Sequence, residues 1–362
     1  MEHNDRIPLI DLYSDTKTVP TDGMRAAMAM ATVGDEQADE DPTTRELCAR
    51  VAAEMGYSAA VFMPSGTMCN LVATLVHTRP GDELIADSAS HICTTEGAGA
   101  AAIAGVAVNP VFSRDGVFTP DQCRAAIRLP SRTAPRSAMV CVEQTTNFSG
   151  GAVWPLDMLK GVRDVAINAG LKTHIDGARL FNAVCATGIP MWNYTEGWDS
   201  AWVDFSKGLG CPVGAVLCGT TDFIRDAWTW KYRLGGAMRQ SGVLAAAALY
   251  ALDHHVARLV DDHANAQLFV ALLAAEPFFI FQTLTPQSNL VLFSLDGVRT
   301  DADTFARQAN RAGVRIRPLP DGRLRATTHL GVRREDIFAA AAILIALARE
   351  LSAESAGDQY FL

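Results

Sequence analysis

The chain reads Trp202-Val-Asp-Phe-Ser-Lys207-Gly-Leu-Gly-Cys-Pro-Val-Gly214 where an apolar stretch gives way to a glycine-rich turn. The apolar residues predict a strand, so Lys207 is expected at the end of that strand and facing a crevice. Three glycines follow within seven residues, and they allow the backbone to approach a ligand closely. From this stretch alone, a ligand-binding lysine and an ordinary surface lysine before a turn are equally good interpretations.

A second strand end lies upstream and reads Thr173-His-Ile-Asp176-Gly-Ala-Arg179. Asp176 closes an apolar stretch, and a helix is predicted immediately after it. A carboxylate at this place can pair with the N–H of a pyridinium ring, or it can simply cap the helix. The acid at one strand end, followed thirty-one residues later by the lysine at another, favours the ligand-binding interpretation.

A third motif, Phe62-Met-Pro-Ser65-Gly66-Thr67, opens a predicted helix. The N–H groups of a helix N-terminus bind phosphate well, and the hydroxyls of Ser65 and Thr67 would add to them. A simple helix cap is the alternative. The stretch from Gly97 to Ala102 matches a loose dinucleotide-binding pattern, but no apolar strand precedes it, and we reject that interpretation.

Strands and helices alternate from about residue 45 to 220, which predicts crossover connections and a largely parallel sheet. A mostly helical stretch and then a second, shorter α/β pattern follow. We therefore predict an N-terminal arm at 1–20, a large domain at 21–250 and a small C-terminal domain at 251–362. The predicted strands of the large domain are Glu83–Ala86, Ala107–Phe112, Ala138–Glu143, Lys172–Ile175, Trp202–Phe205 and Ala215–Cys218, and its predicted helices are Thr67–His77, Asp121–Arg128, Pro155–Ala169 and Ala178–Ala186.

Charge and composition exclude several classes of partner. The formal net charge is −9 and no Lys/Arg cluster is present, which argues against a nucleic-acid partner. The longest apolar stretch, Ile337–Ala348, has twelve residues where a membrane span needs roughly twenty. None of the eight cysteines forms a CxxC pair, which predicts reduced thiols and a cytoplasmic location.

A group of histidines, His254, His255 and His263, is flanked by Asp253, Asp261 and Asp262. Such a group could suggest a metal site. On a long helix that also carries Arg258, a solvated helix face is the preferred interpretation, and no metal is predicted.

A phosphate-binding helix start, an aspartate and a lysine, in this order on a parallel sheet, are typical of pyridoxal-phosphate (PLP) enzymes of the aspartate-aminotransferase fold, fold type I. Stretches along almost the whole chain resemble the threonine aldolase family of the β-eliminating lyase superfamily. The resemblance implies a PLP-dependent transferase-like α/β fold, with a large domain around a mostly parallel sheet and a smaller C-terminal α/β domain. The matching stretches begin at Asp11, Val33, Glu40, Pro64, Arg79, Asp176, Ser206, Met238 and Thr328.

The resemblance also implies how the cofactor is held. Lys207 would carry PLP as an imine, Asp176 would pair with the ring nitrogen, and His91 would stack on the ring and take part in proton transfer. Arg239 would reach a cofactor phosphate across a subunit interface, as expected for a homotetramer built from dimers. The further residues expected around the cofactor are Ser65, Gly66, Thr67, Arg179 and Ser206.

The substrate side of the site follows from the same resemblance. Arg179 and Arg325 would bind the carboxylate of a small amino acid, with help from Ser14 of the N-terminal arm. The expected activity is cleavage of a β-hydroxy-α-amino acid to glycine and an aldehyde, with His91 as the base. Intact Lys207 argues against the alternative of a catalytically silent PLP protein.

Three positions depart from the family pattern. The segment Glu143-Gln-Thr-Thr146-Asn147 has Thr146 where the family often has a histidine, Ala38 replaces a common tyrosine, and Tyr232 replaces a lysine, although Lys231 is adjacent. Thr146 and Ala38 predict a wider, less polar pocket around the β-substituent. They also leave open a different PLP-dependent reaction, such as elimination, racemisation or cleavage of a bulkier or acidic amino acid.

Overall fold

The computed structural model describes residues 9–353. This range divides into two compact units, a larger one at Val19–Ala257 and a smaller one that joins residues 9–18 to residues 258–353. The strands are β1 (Ile10–Asp11), β2 (Ala59–Met63), β3 (Asp82–Asp87), β4 (Ala107–Val111), β5 (Arg136–Glu143), β6 (Lys172–Gly177), β7 (Ser200–Asp204), β8 (Ala215–Gly219), β9 (Phe279–Phe281), β10 (Leu290–Leu295), β11 (Val314–Arg315), β12 (Arg317–Pro318) and β13 (Leu324–Thr327).

Helices connect most of these strands. The α-helices are α1 (Asp22–Ala29), α2 (Pro42–Met55), α3 (Gly66–His77), α4 (His91–Thr94), α5 (Gly99–Ala102), α6 (Pro120–Ala126), α7 (Leu156–Asn168), α8 (Leu180–Thr187), α9 (Met191–Thr195), α10 (Thr221–Arg233), α11 (Gly242–His254), α12 (Leu259–Leu273), α13 (Ala302–Arg311) and α14 (Arg334–Ala353). Short 3₁₀ helices lie at Asp15–Lys17 and Glu36–Ala38.

The larger unit is built on a seven-stranded sheet with the order β2-β8-β7-β6-β5-β3-β4. Strand β8 runs antiparallel to both of its neighbours, β2 and β7, and the other neighbouring pairs are parallel. The prediction of a mostly parallel sheet is therefore confirmed. The sequence analysis did not predict β2, although this strand delivers the chain to the start of α3.

The sheet is buried on both faces, as parallel sheets generally are. Seven of the eight residues of β5 are buried, and all five residues of β7 are buried. One face packs on α3 and α10 through a cluster that includes Val72, Trp202 and Phe223. Because this packing fixes the strands, the side chains at their ends are held on a rigid support.

The carboxyl ends of β2, β3, β5, β6 and β7 lie at the same edge of the sheet, because these strands run in the same direction. The strand register places Glu143 beside Asp176 and Asp176 beside Trp202. Ligands of open α/β sheets bind at this edge. The acid and the lysine that the sequence singled out therefore belong to one edge.

The smaller unit has its own core. An antiparallel sheet with the order β12-β13-β10-β9 packs with α12, α13 and α14, and β1 pairs in parallel with β11. Buried Phe269, Phe293, Phe305 and Ile337 belong to this core. The N-terminal residues from Ile10 onward thus belong with the C-terminal segment, because strand pairing ties them to β11.

The prediction that His254, His255 and His263 lie on the solvated face of one long helix is wrong. The helix is interrupted between α11 and α12, and only His254 of the three is exposed. His255 is buried and its Nδ1 lies 2.6 Å from the carbonyl oxygen of Leu209. In the smaller unit His263 and Asp262 are buried, and Asp262 pairs with Arg258 at 2.6 Å. Within residues 9–353, no group of three or more His, Cys, Asp or Glu side chains is arranged to hold a metal ion.

Among the described helices, no single one is both long and apolar enough to cross a membrane. Only α11 and α12 taken together meet that criterion of length and composition, and many of their apolar residues lie in the protein cores.

Candidate active site

A cavity of about 200 Å³ opens at the carboxyl edge of the large sheet. It is lined by residues that lie near or just beyond the carboxyl ends of β2, β3, β5, β6 and β7. The lining residues are Ser65, Gly66, Thr67, His91, Glu143, Asn147, Asp176, Ala178, Arg179, Trp202, Asp204, Ser206 and Lys207. One cavity therefore brings together every site residue that the sequence analysis placed in the large domain, apart from Thr146 and Arg239.

Lys207 follows β7 and presents its amine to the cavity. Its Nζ donates a 2.7 Å hydrogen bond to Oδ2 of Asp204, and the ring of Trp202 lies 5.5 Å from the same nitrogen. Burial acts to lower the pKa of Lys207 and Arg179 does the same, but the charges of Asp204 and Asp176 outweigh them, so the pKa is raised. The amine is thus held as an ammonium ion in the absence of a covalent partner.

Asp176 is 2 % exposed and is fixed by two donors. Its Oδ1 accepts the backbone N–H of Ala178 at 3.0 Å, and its Oδ2 accepts from Nδ2 of Asn70 at 2.8 Å. The contact with Ala178 lies in the turn before α8, which begins at Leu180 with Arg179 at its N-cap position, so the alternative that Asp176 is a simple cap of this helix is wrong. Asp176 also lines the cavity, so its carboxylate fixes this turn and faces a ligand at the same time.

Asn70 connects Asp176 to His91. Its Nδ2 donates to Asp176 and also, at 2.7 Å, to Oε1 of Glu96, and Glu96 Oε1 lies 2.8 Å from Nδ1 of His91. The amide oxygen of Asn70 accepts from Nε1 of Trp202 at 2.7 Å. Asn70 is fully buried, so these bonds replace the water that its amide would otherwise bind.

The contact with Glu96 sets the proton position on His91. Because the carboxylate oxygen accepts, Nδ1 of His91 carries a proton and Nε2 is left to exchange one. Burial lowers the pKa of His91, but the hydrogen bond to Glu96 and the charges of Asp176 and Glu96 outweigh burial, so the pKa is raised. His91 is therefore suited to proton transfer through Nε2, with its protonated form favoured by the neighbouring carboxylates.

Glu143 ends β5 and is a second buried acid at the cavity. Its Oε2 accepts the backbone N–H of Asn147 at 3.0 Å, and its Oε1 accepts that of His91 at 3.4 Å. Burial, reinforced by the charge of Asp176, raises the pKa of Glu143 to about 7. Glu143 thus holds the segment around His91, and its carboxyl group titrates near neutral pH.

Arg179 is 4 % exposed and follows Asp176 by three residues. Its backbone N–H donates to the carbonyl of Gln144 at 3.0 Å, and the N–H of Gln144 donates to the carbonyl of Asp176 at 2.8 Å. These bonds join the ends of β5 and β6, and they hold the arginine at the cavity. A buried guanidinium is well suited to bind a carboxylate.

Comparison with known proteins places the chain in a family. The family model described as beta-eliminating lyase matches residues 11–295. The chain is 38% identical to the low-specificity L-threonine aldolase 1 of Arabidopsis thaliana over 91% of this chain and 93% of that protein. It is also 38% identical to the low specificity L-threonine aldolase of Escherichia coli K12, over 92% and 98%.

This chain belongs to the threonine aldolase branch of the beta-eliminating lyase family. Among solved structures, the threonine aldolase of Leishmania major matches with a TM-score of 0.80 and 20% identity, over 93% of this chain and 99% of that chain. That likeness supports the fold type I architecture. As a member of this family, the protein is a PLP-dependent lyase.

The residues at the cavity fit PLP. Ser65 caps α3 by accepting from the N–H of Met68 at 3.2 Å, and Gly66 and Thr67 begin the helix at the cavity, where N–H groups can hold a phosphate. Gly66 cannot carry a side chain, because a Cβ there would lie 2.1 Å from the ring of Trp202. A helix start that would hold a phosphate, a carboxylate in Asp176 that would pair with the ring nitrogen and an amine in Lys207 that would bind the cofactor thus line one cavity.

The other predicted site residues lie elsewhere. Thr146 is enclosed in its own loop: its Oγ1 accepts from the N–H of Ala152 at 3.0 Å, and Asn147 is the neighbouring residue that lines the cavity. Arg239 is exposed and pairs with Asp35 at 2.7 Å. Its predicted contact with a phosphate involves a second subunit and stays a prediction.

Arg325 and Ser14 belong to the smaller unit. Arg325 is 1 % exposed and its Nη2 donates to the carbonyl of Tyr13 at 3.3 Å. Ser14 caps the first 3₁₀ helix by accepting from the N–H of Thr16. Arg325 thus contacts the residue next to Ser14, and the proposed carboxylate-binding role of both residues stays a prediction.

Two departures from the family pattern have a local explanation. Lys231 is completely buried and pairs with Glu36 at 2.6 Å, while Tyr232 next to it is 64 % exposed. Lys231 is therefore committed to a buried ion pair. Ala38 is exposed and does not line the cavity.

Sequence reasoning did not assign a site role to Asn70, Glu96, Glu143 or Asp204. Glu143 and Asp204 carry the same signal that identified Asp176, namely an acid at the end of an apolar strand. Asn70 and Glu96 lie on or near helices and carry no such signal, because their position depends on how those helices pack against the sheet.

Proposed function

We propose that this enzyme cleaves β-hydroxy-α-amino acids of the threonine type to glycine and an aldehyde. The observation that carries the proposal is the meeting, in one cavity, of Lys207, Asp176 and a histidine whose free ring nitrogen can exchange a proton. The names of the relatives point the same way.

Each residue has a separate task in the proposed reaction. Bound PLP supplies the electron sink for the charge left on Cα when the Cα–Cβ bond breaks. Asp176 keeps the ring nitrogen protonated, and Arg179 binds the substrate carboxylate and so orients the bond that breaks. Nε2 of His91 takes the proton of the β-hydroxyl group, while Glu96 holds the opposite side of the imidazole.

Product analysis tests this function. Purified enzyme with PLP is expected to release glycine and an equal amount of aldehyde from L-threonine or a related β-hydroxy amino acid. A panel should compare L-threonine, L-allo-threonine, a β-phenyl analogue and a substrate with an acidic β-substituent. Formation of ammonia and a keto acid, or of the D-enantiomer, without glycine would contradict the proposal and favour elimination or racemisation.

The panel also addresses substrate size. Among the described residues that line the cavity, His91 is the only imidazole, and Thr146, which adjoins the lining residue Asn147, is smaller than the histidine that the family often has there. We therefore propose that the enzyme prefers a β-substituent larger than a methyl group. A strong preference for L-threonine over the β-phenyl analogue would contradict this part of the proposal alone.

Replacement of the carboxylate-binding arginines has a smaller expected effect than loss of Lys207. Arg179→Ala and Arg325→Ala should each lower kcat/KM about ten- to a hundredfold, because a charged hydrogen bond is worth about 1.5–3 kcal/mol. Cofactor absorbance should persist in both variants. Arg136→Ala, which removes an exposed arginine paired with Asp82, is the control. Unchanged kinetics of Arg325→Ala would show that the carboxylate is bound elsewhere.

We also propose a homotetramer made of two dimers, with Arg239 and the N-terminal arm contributing to a neighbouring active site. Light scattering should give about four times the subunit mass, and a fully active monomer would contradict the assembly. The eight cysteines are all free, which supports a reducing, cytoplasmic location. Cell fractionation tests that location.

A further inference from the structure

Asp204 is in direct contact with the reactive nitrogen of Lys207. It is the last residue of β7, its side chain is 3 % exposed, and its Oδ2 lies 2.7 Å from Lys207 Nζ. Its other oxygen, Oδ1, accepts from the backbone N–H of Ser206 at 2.8 Å and from the Ser206 hydroxyl at 2.7 Å. The carboxylate is therefore fixed on one side, and its second oxygen points at the lysine.

Several charged groups surround this pair. Asp176 adds a second negative charge near Lys207, while Arg179 and protonated His91 oppose a positive charge on the amine. The environment as a whole keeps a free Lys207 protonated. An amine must be neutral to form a covalent bond with the cofactor, so a proton has to leave Nζ each time Lys207 binds it.

We propose that Asp204 exchanges a proton with Lys207. Asp204 holds the freed amine as an ammonium ion, and it accepts a proton from that amine when Lys207 returns to the cofactor. In this step the Nζ–H bond breaks and an Oδ2–H bond forms. The electron pair left on Nζ would form the new bond to the cofactor, and the bond that held the amino acid's nitrogen to the cofactor would break, so that this amine leaves with its electron pair. The net charge of the Lys207–Asp204 pair is zero before and after the proton transfer. The reverse transfer accompanies release of the lysine.

This inference rests on Lys207 as the cofactor-binding lysine and does not depend on which amino acid the enzyme cleaves. The proton exchange favours displacement of Lys207 from the cofactor by the substrate over the reverse displacement while the reaction proceeds. A released Lys207 that is protonated at once by its neighbour cannot attack again, so the substrate keeps the cofactor while the reaction proceeds.

The holoenzyme provides the first test, without any substrate. Asp204→Asn keeps the shape of the side chain and an acceptor oxygen for Ser206, but it removes the charge. The pH midpoint of the visible absorbance change of the bound cofactor should fall by about 1 pH unit or more. Once Asp204 has passed the transferred proton to solvent it is an anion that favours a protonated lysine nitrogen, and the neutral amide of asparagine does not. A midpoint equal to that of the wild type would overturn the proposal.

A matched control exists on the surface of the same unit. Asp199 lies 2.7 Å from Nζ of Lys172 and also accepts from the backbone N–H and the hydroxyl of Thr173, but this pair is much more exposed. Asp199→Asn therefore makes the same change, loss of the charge beside a lysine with an acceptor oxygen kept, away from the cavity. This variant should leave the pH midpoint of the cofactor absorbance change unaltered. An equal shift of the midpoint in both variants would show a general charge effect and would overturn the specific role of Asp204.

A second measurement keeps the proposal testable if Asp204→Asn does not fold. The chain has five lysines, Lys17, Lys160, Lys172, Lys207 and Lys231. The cofactor-free full chain is acetylated across a pH series, and peptide mass spectrometry measures the extent of reaction at each lysine. The pH at half-maximal acetylation is the midpoint for that lysine. The wild-type midpoint of Lys207 should exceed that of exposed Lys172. Burial alone would place it lower, and that result would overturn the proposal.

Discussion

Replacing Lys207 with alanine is expected to abolish turnover and the visible absorbance of the bound cofactor together. The substitution removes the covalent link, and loss of a residue that forms a covalent intermediate lowers kcat on the order of 10⁴-fold or more. PLP can still occupy the cavity of the variant, because the N-terminus of α3 and Asp176 remain. Absorption spectra and single-turnover kinetics measure both effects.

Lys172→Ala is the control for this variant. It removes another lysine that pairs with an aspartate at 2.7 Å, in an exposed position at the start of β6. Spectrum and turnover of Lys172→Ala should equal those of the wild type. Normal turnover of Lys207→Ala would show that the cofactor is held by another group, and the assignment of the site would then be wrong.

Residues at the carboxyl edge of the sheet could be predicted from the sequence, because their position depends on a local pattern, a polar residue after an apolar stretch. Lys207 and Asp176 each follow an apolar stretch, and a parallel sheet brings all such strand ends to one edge. The same rule applies to Glu143 and Asp204, and a consistent use of it would have found both.

The connections between these residues could not be predicted in the same way. Asn70 lies in the interior of α3, where its neighbours in the sequence are mostly apolar, and it reaches Asp176 and Glu96 only because α3 packs on the sheet. The long helix predicted around residues 254–263 was wrong for a related reason. Burial of His255 and His263 is decided by packing within each unit, and the local charge pattern does not report it.

His91→Asn is expected to lower kcat/KM about 10²–10⁴-fold, the usual contribution of a general base. Asparagine can still donate a hydrogen bond toward Glu96, but it cannot take up a proton near neutral pH. Cofactor absorbance should be retained. The exposed histidine variant His254→Asn is the control and should keep wild-type kinetics. Wild-type kinetics in His91→Asn would exclude His91 as the base.

The pH profile separates the base from its neighbours. A base acts in its neutral form, so activity should rise as the pH rises through the raised pKa of His91. Glu96→Gln keeps an acceptor for Nδ1 but removes the charge that raises this pKa, so the acid limb should move to lower pH by about 1 unit. Glu83→Gln, a change at a buried acid at the opposite end of β3, should leave the limb in place.

Glu143 is the competing origin of the same limb, because burial raises its pKa to about 7 and it contacts the backbone of His91. The two origins predict opposite results. If His91 is the base, Glu143→Gln retains an acid limb and Glu96→Gln shifts it. If the limb belongs to Glu143, then Glu143→Gln abolishes it and Glu96→Gln leaves it unmoved. The tautomer fixed by Glu96 leaves Nε2 of His91 as the proton acceptor, and we therefore expect the first result.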